Sequence, residues 1–331
     1  MTAGRTTHAK GSANALADGL PEGRVLPEGR TVKVRAADGT PLHAEVFGPP
    51  DGYPIVLTHG FVCAIRAWAY QIADLSRDFR VIAYDHRGHG RSGVPRHDAY
   101  SIAHLASDLD CVLEATLAPG ERALIAGHSM GGMTIQAWSM RHRHNVARRA
   151  DAVALINTSS GDLLTNIRLL SVPRGLSSAR AVAGRTLINA VSGLPLPGAV
   201  SAPTKYMVSK MATGAKTHPA VVKLVYQLFA ETSPVGRGGC ARMLIGEVDS
   251  DHFSLDGLTV PTLVIGSEHD RLTPIGQARR IAGELPNLVG LVELSGGHCS
   301  MLEQPGEVNR QLRVLADSAT ATNARACASG S

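Results

Sequence analysis

Apolar and polar residues alternate along 31–35 and 42–47, on either side of Ala37-Asp38-Gly39-Thr40. A period of two broken by an Asp-Gly pair predicts an antiparallel hairpin that turns at Asp38-Gly39. Past this hairpin the alternation gives way to short continuous apolar runs at 55–57, 81–83, 123–126, 153–156, 263–265 and 288–292. Such runs predict strands covered on both faces, as a parallel sheet requires. Helical periodicity at 66–76, 102–116, 130–144, 275–285 and 307–316 separates them. The strand–helix alternation predicts an α/β fold: a mostly parallel, doubly wound sheet of eight strands.

One stretch breaks the rhythm. Residues 160–256 contain no convincing buried-strand run, yet helical spacing recurs at 163–170, 181–191 and 221–230. This predicts a helical insertion, a cap, over the sheet. The core is then expected over 30–159 and 257–316. Residues 1–29, with Pro-Glu-Gly-Arg at both 21–24 and 27–30, read as a flexible N-terminal segment, and the small, polar residues 317–331 as a flexible C-terminal tail.

Composition narrows the possibilities. The chain of 331 residues is 44% hydrophobic and 18% charged, which suits a folded core and argues against disorder. Its net charge of +5 comes from scattered arginines with no dense basic block, so no nucleic-acid surface is expected. Five cysteines without CxxC spacing predict neither a disulfide framework nor a zinc site. No apolar run has the length of a signal core or a membrane span, so a cytoplasmic protein with no integral membrane segment is expected.

The candidate chemistry begins at Gly127-His128-Ser129-Met130-Gly131-Gly132, between the strand at 123–126 and the helix starting at 130. A serine on a sharp strand-to-helix turn is a nucleophile on an elbow, and glycines two positions either side relieve the crowding. Ser129 is then exposed at the carboxyl end of the sheet and at a helix N-terminus, where the Met130 N–H can stabilise an oxyanion. The competing role for Ser129 is a simple helix cap.

In this elbow and its surroundings, from about residue 31 to 316, the sequence resembles the α/β-hydrolase superfamily. The resemblance implies a second oxyanion donor after a His-Gly pair, which Leu57-Thr58-His59-Gly60-Phe61 matches at the Phe61 N–H. For the general base, a group titrating near neutrality is needed, and fourteen histidines compete. His298 follows the last apolar strand through a glycine loop, and Gly297-His298 with Glu303 and Pro305 is similar to the family's Gly-His-x-x-x-x-E-x-P pattern. Asp270, after the strand at 263–265 and ahead of Pro274, resembles the family's acid, with Glu268 as its local competitor. The order Ser129, Asp270, His298 is also that of the family. Asn157 and Thr158 stand where some relatives carry the acid.

Asp85-His86-Arg87-Gly88-His89-Gly90-Arg91-Ser92 resembles the family's D-x-R-G-x-G-x-S turn, which implies an architectural role. His142 and His144 are two apart and do not share a helical face, which argues against a metal site. No phosphate loop, zinc motif or dinucleotide fingerprint is present, so no cofactor and no metal are expected.

A serine nucleophile speaks for acyl transfer to water, not the alkyl-ester chemistry of aspartate nucleophiles. The expected function is hydrolysis of a small or lipid-like carboxylic ester, as in a carboxylesterase or lipase. The same three residues also suit a carbon–carbon bond hydrolase, a thioesterase, a cofactor-free perhydrolase, or a ligand receptor with a slow triad.

Overall fold

The computed structural model describes residues 26–96, 99–163, 202–248 and 252–329. Strands β1 (Arg30–Arg35) and β2 (Pro41–Phe47) form the expected hairpin. Gly39 takes φ 82° at its tip, and the Asp38 carboxylate accepts the Thr40 N–H at 3.0 Å. Next come β3 (Pro54–Thr58), a 3₁₀ turn (Ile65–Trp68), α1 (Ala69–Leu75), β4 (Arg80–Tyr84), α2 (Ile102–Thr116) and β5 (Ala123–His128). They are followed by α3 (Met130–Arg141), α4 (Arg143–Arg149) and β6 (Ala150–Ile156). Three α-helices lie in the described part of the region expected as a cap, α5 (Ala202–Ala212), α6 (Pro219–Glu231) and α7 (Pro234–Met243), the last continued by a π-helical segment (Leu244–Val248). The expected helices at 163–170, beyond Leu163, and at 181–191 lie outside the described residues, as do residues 1–25. The chain returns to the sheet with β7 (Thr262–Ser267), α8 (Ile275–Glu284), β8 (Leu288–Leu294), α9 (Ser300–Glu303) and α10 (Pro305–Ser329).

The eight strands form one sheet in the order β1-β2-β4-β3-β5-β6-β7-β8, with β2 antiparallel to both its neighbours and the rest parallel. Alternate residues of each central strand feed two separate cores. Val56, Ile82, Ile125, Val153 and Val264 pack on one face with α2, α3 and α8. Ile55, Leu57, Val81, Leu124, Ala154 and Ile265 pack on the other with α1 and α10. A sheet covered on both faces explains why these strands read as unbroken apolar runs.

Four expectations change. The run at 288–292 was expected to be buried on both faces, but β8 is the edge strand, and Val289 is 52% exposed. Position in the sheet order, which no local pattern encodes, decides this. The helix expected over 130–144 breaks at His142, whose φ of −123° and ψ of 43° separate α3 from α4. The segment expected as a helix over 66–76 begins as 3₁₀ and becomes α-helical at Ala69. The last helix runs past Ala316 to Ser329, through a stretch of alternating alanines free of Gly and Pro, which favours continuation.

Candidate active site

Ser129 stands between β5 and α3 with φ 52° and ψ −119°, a conformation rarely adopted by a residue with a side chain. The strain is held by its neighbours. The Ser129 N–H donates to the Ile156 carbonyl at 3.0 Å, and the Thr158 hydroxyl donates to the Ser129 carbonyl at 2.8 Å. A Cβ on Gly127 would lie 2.6 Å from the Gly131 backbone, and one on Gly131 would lie 2.2 Å from the Thr58 carbonyl oxygen. Only glycine fits at either position, for the steric reason the sequence suggests. The Ser129 side chain makes no capping hydrogen bond to α3, so the simple cap role is not the one it plays.

The loop after β3 runs directly against this elbow. A Cβ on Gly60 would lie 3.0 Å from the Ser129 Cβ and 2.8 Å from the His128 Nδ1. Phe61 therefore follows a residue in contact with Ser129, while Met130 opens α3 on its other side. Both backbone positions expected as oxyanion donors adjoin Ser129.

His298 and Asp270 meet. The His298 Nδ1 donates to the Asp270 Oδ2 at 2.8 Å, and the two residues are 5% and 2% exposed. Asp270 Oδ2 also accepts from Asn157 Nδ2 at 2.9 Å and from the Thr273 hydroxyl at 2.7 Å. Its Oδ1 accepts the N–H groups of Leu272 and Thr273 at 2.8 and 2.9 Å. Burial is the largest single influence and raises the Asp270 pKa, but His298 and the Thr273 donors together outweigh it. The carboxyl is held below its ordinary value, so it stays ionised. Glu268, the local competitor, is exposed on the loop.

Several further residues support this pair, and of them only Glu303 carries a signal in the sequence. Asn157 reads there only as a position lacking an acid. In the structure it holds the acid from the next strand, with its amide oxygen accepting from the Ser300 hydroxyl at 2.5 Å. His128, one of the two variable residues of the G-x-S-x-G motif, donates from Nε2 to the His298 carbonyl at 2.9 Å and ties the elbow to the loop that carries His298. Glu303 accepts the Gly297 N–H at 3.1 Å and the Cys299 N–H at 3.2 Å. It also accepts the Gly214 N–H at 2.8 Å and the Thr217 hydroxyl at 2.6 Å, so the loop carrying His298 is fastened to the segment between α5 and α6. The sequence signal for Glu303 was its place in the Gly-His-x-x-x-x-E-x-P pattern.

Four buried histidines surround the site. Burial is the main cause that holds His59 well below its ordinary value, His86 and His128 at about 3, and His89 at about 4. These rings stay neutral in the folded protein, whereas in the unfolded chain they bind protons as pH falls through about 6.5. The unfolded state then holds more protons, so stability is present above that value and is lost progressively toward pH 4. Urea unfolding between pH 7.5 and 4.5 should show the unfolding free energy falling by roughly 1 kcal/mol per pH unit for each such histidine. A flat profile over that interval would contradict their neutral burial.

Comparison with known proteins agrees with this architecture. The family model described as alpha/beta hydrolase fold matches residues 53–305. The RutD protein of Variovorax paradoxus strain S110 is 29% identical over 273 residues, covering 82% of this chain and 94% of its own. The non-heme chloroperoxidase of Burkholderia pyrrocinia is 28% identical over 246 residues, covering 74% of this chain and 84% of its own. Among solved structures, the enol-lactonase of Burkholderia xenovorans LB400 is similar with a TM-score of 0.69 at 26% identity, covering 86% of this chain and 99% of its own. The chain belongs to the alpha/beta hydrolase fold family, and it is a hydrolase. Among the described residues no helix is long and apolar enough to cross a membrane.

Proposed function

We propose that this hydrolase cleaves a carboxylic ester of a small molecule through an acyl-enzyme on Ser129, with His298 as general base and Asp270 as the acid that orients it. The observation that carries the reading is the buried 2.8 Å hydrogen bond from His298 Nδ1 to Asp270 Oδ2. It fixes the tautomer and leaves Nε2 as the nitrogen free to take a proton. Ser129 Oγ attacks the ester carbon as its proton passes to His298 Nε2, and negative charge develops on the carbonyl oxygen. The N–H groups of Phe61 and Met130 receive that oxyanion, assisted by the N-terminal end of α3. His298 then gives its proton to the departing alcohol. In the second half it takes one from water, whose oxygen attacks the acyl-serine; the carboxylic acid leaves and the serine hydroxyl is restored.

The similarity to an enol-lactonase supports an ester, since a lactone is a cyclic ester. The chloroperoxidase relative favours a second outcome for the same acyl-enzyme, in which hydrogen peroxide replaces water and a peracid leaves. Rates on p-nitrophenyl esters from acetate to palmitate, and on a five-membered lactone, test the proposal. Turnover with one chain-length optimum, lost in Ser129→Ala, is expected. Serine-dependent activity confined to peroxide-containing mixtures would favour the perhydrolase, and no activity on any ester or lactone would exclude the esterase reading.

A further inference from the structure

The family resemblance implies an architectural role for the turn at 85–92, and most of it has one. Arg87 is 1% exposed and donates to both oxygens of Asp108 at 2.6 Å, to Asp38 at 2.8 Å and to the Ala99 carbonyl at 2.6 Å. Asp85 accepts the N–H groups of Ile65 and Arg91, both at 2.8 Å. Asp85 and, through the His59 carbonyl, His86 hold the two ends of the loop that follows β3, and His89 reaches its middle. Its Nε2 accepts the Val62 N–H at 3.2 Å, and its Nδ1 donates to the Arg87 carbonyl at 3.0 Å. The two bonds require one tautomer, neutral with the hydrogen on Nδ1.

Val62 needs such a partner. It has φ 51°, which for a β-branched residue is a strained backbone that persists only where surrounding contacts over-determine it. On the other side of the same loop, Gly60 is pressed against His128 and Ser129 with no room for a side chain. Phe61 lies between these two fixed points, and its ring meets the His89 ring edge-on with centroids 6.2 Å apart.

We propose that His89 is a positioning residue for the oxyanion loop: by accepting the Val62 N–H it holds the strained turn that aims the Phe61 N–H at the acyl oxygen. The inference rests on the serine-hydrolase reading above. His89 touches no reacting atom and acts through Val62 and Phe61. The support runs from the buried Arg87–Asp108 pair through the Arg87 carbonyl to His89, and from His89 to the loop. Burial of the ring, which keeps it neutral, preserves the acceptor that this role needs.

Two substitutions test it. His89→Met fills similar volume without a comparable acceptor, and His89→Gln keeps an amide oxygen that can receive the Val62 N–H. Measurements are kcat and KM on the preferred p-nitrophenyl ester, affinity for a boronic acid that forms a tetrahedral adduct with the serine, and thermal unfolding. His89→Met should lower kcat roughly 10- to 100-fold with little change in KM, less than outright loss of an oxyanion donor. Boronate affinity should weaken in parallel, and His89→Gln should recover a good part of both. If His89→Met does not fold, His89→Asn takes its place, since its amide reaches the position of Nδ1 but not that of Nε2: a folded protein with kcat and boronate affinity lowered in parallel supports the role, and one with both unchanged overturns it. A folded His89→Met with unchanged kcat, or with reduced kcat but full boronate affinity, would overturn the proposal alone. Wild-type protein that neither turns over the ester nor binds the boronate would overturn the serine-hydrolase reading and this one with it.

Discussion

Replacement of Ser129 by alanine should lower kcat on the preferred ester by roughly 10⁴- to 10⁶-fold while leaving the fold intact. The side chain makes no capping bond to α3, and the backbone bonds to Ile156 and Thr158 do not involve its hydroxyl. Nothing that holds the elbow is lost with the oxygen, so the variant removes only the proposed nucleophile. Steady-state kinetics and a thermal melt on the same preparation check both halves. A variant that melts like the wild type but keeps more than about a hundredth of its activity would place the nucleophile elsewhere.

Asp270→Asn should be nearly as damaging, with a loss of about 10⁴-fold in kcat. Asp270 receives donors on both oxygens, from His298, Asn157 and Thr273 on Oδ2 and from Leu272 and Thr273 on Oδ1. An amide offers one oxygen and one NH₂ group, so whichever way it turns, N–H must face N–H or O–H. If the NH₂ group faces His298, the ring is pushed to the wrong tautomer. If it faces the Leu272 and Thr273 amides, the loop itself is disturbed. A buried donor left without an acceptor costs about 1–3 kcal/mol, so this variant should also unfold more readily than Ser129→Ala. Glu268→Gln is the control: exposed on the same loop, it should leave kcat and stability close to wild type.

Much of this arrangement is legible in the sequence because it depends on local sterics. Gly127 and Gly131 flank the serine since any side chain there strikes backbone, and the order of strand, elbow and helix follows directly. The strands between two helical layers announce themselves as apolar runs. What stays hidden is set by tertiary contact. Helix α7 contains three glycines and would score poorly on propensity alone. Yet a Cβ on Gly236 would lie 2.1 Å from the Gly88 carbonyl oxygen, and one on Gly239 2.2 Å from the Tyr100 ring. Gly236 lets the helix approach the turn that carries His89, and Gly239 lets it approach the Tyr100 ring, reasons invisible until the chain is folded.

The same holds in the site. Asp270 and His298 are marked by their loops, whereas Asn157 looks like a missing acid until it is seen donating to the acid of the neighbouring strand. His128 occupies a position that the G-x-S-x-G motif leaves open, so its bond to the His298 carbonyl has no sequence signature. The exposed edge strand β8 likewise depends on what packs beside it.

The central claim is that Ser129 forms a covalent bond with the acyl group, and covalent mapping tests it most directly. Wild-type protein is inactivated with a fluorophosphonate, digested, and the modified residue located by mass spectrometry. The expected result is one adduct per chain, on Ser129, appearing at the same rate as ester hydrolysis is lost. An adduct on any other residue, or ester hydrolysis that survives full modification of Ser129, would contradict it.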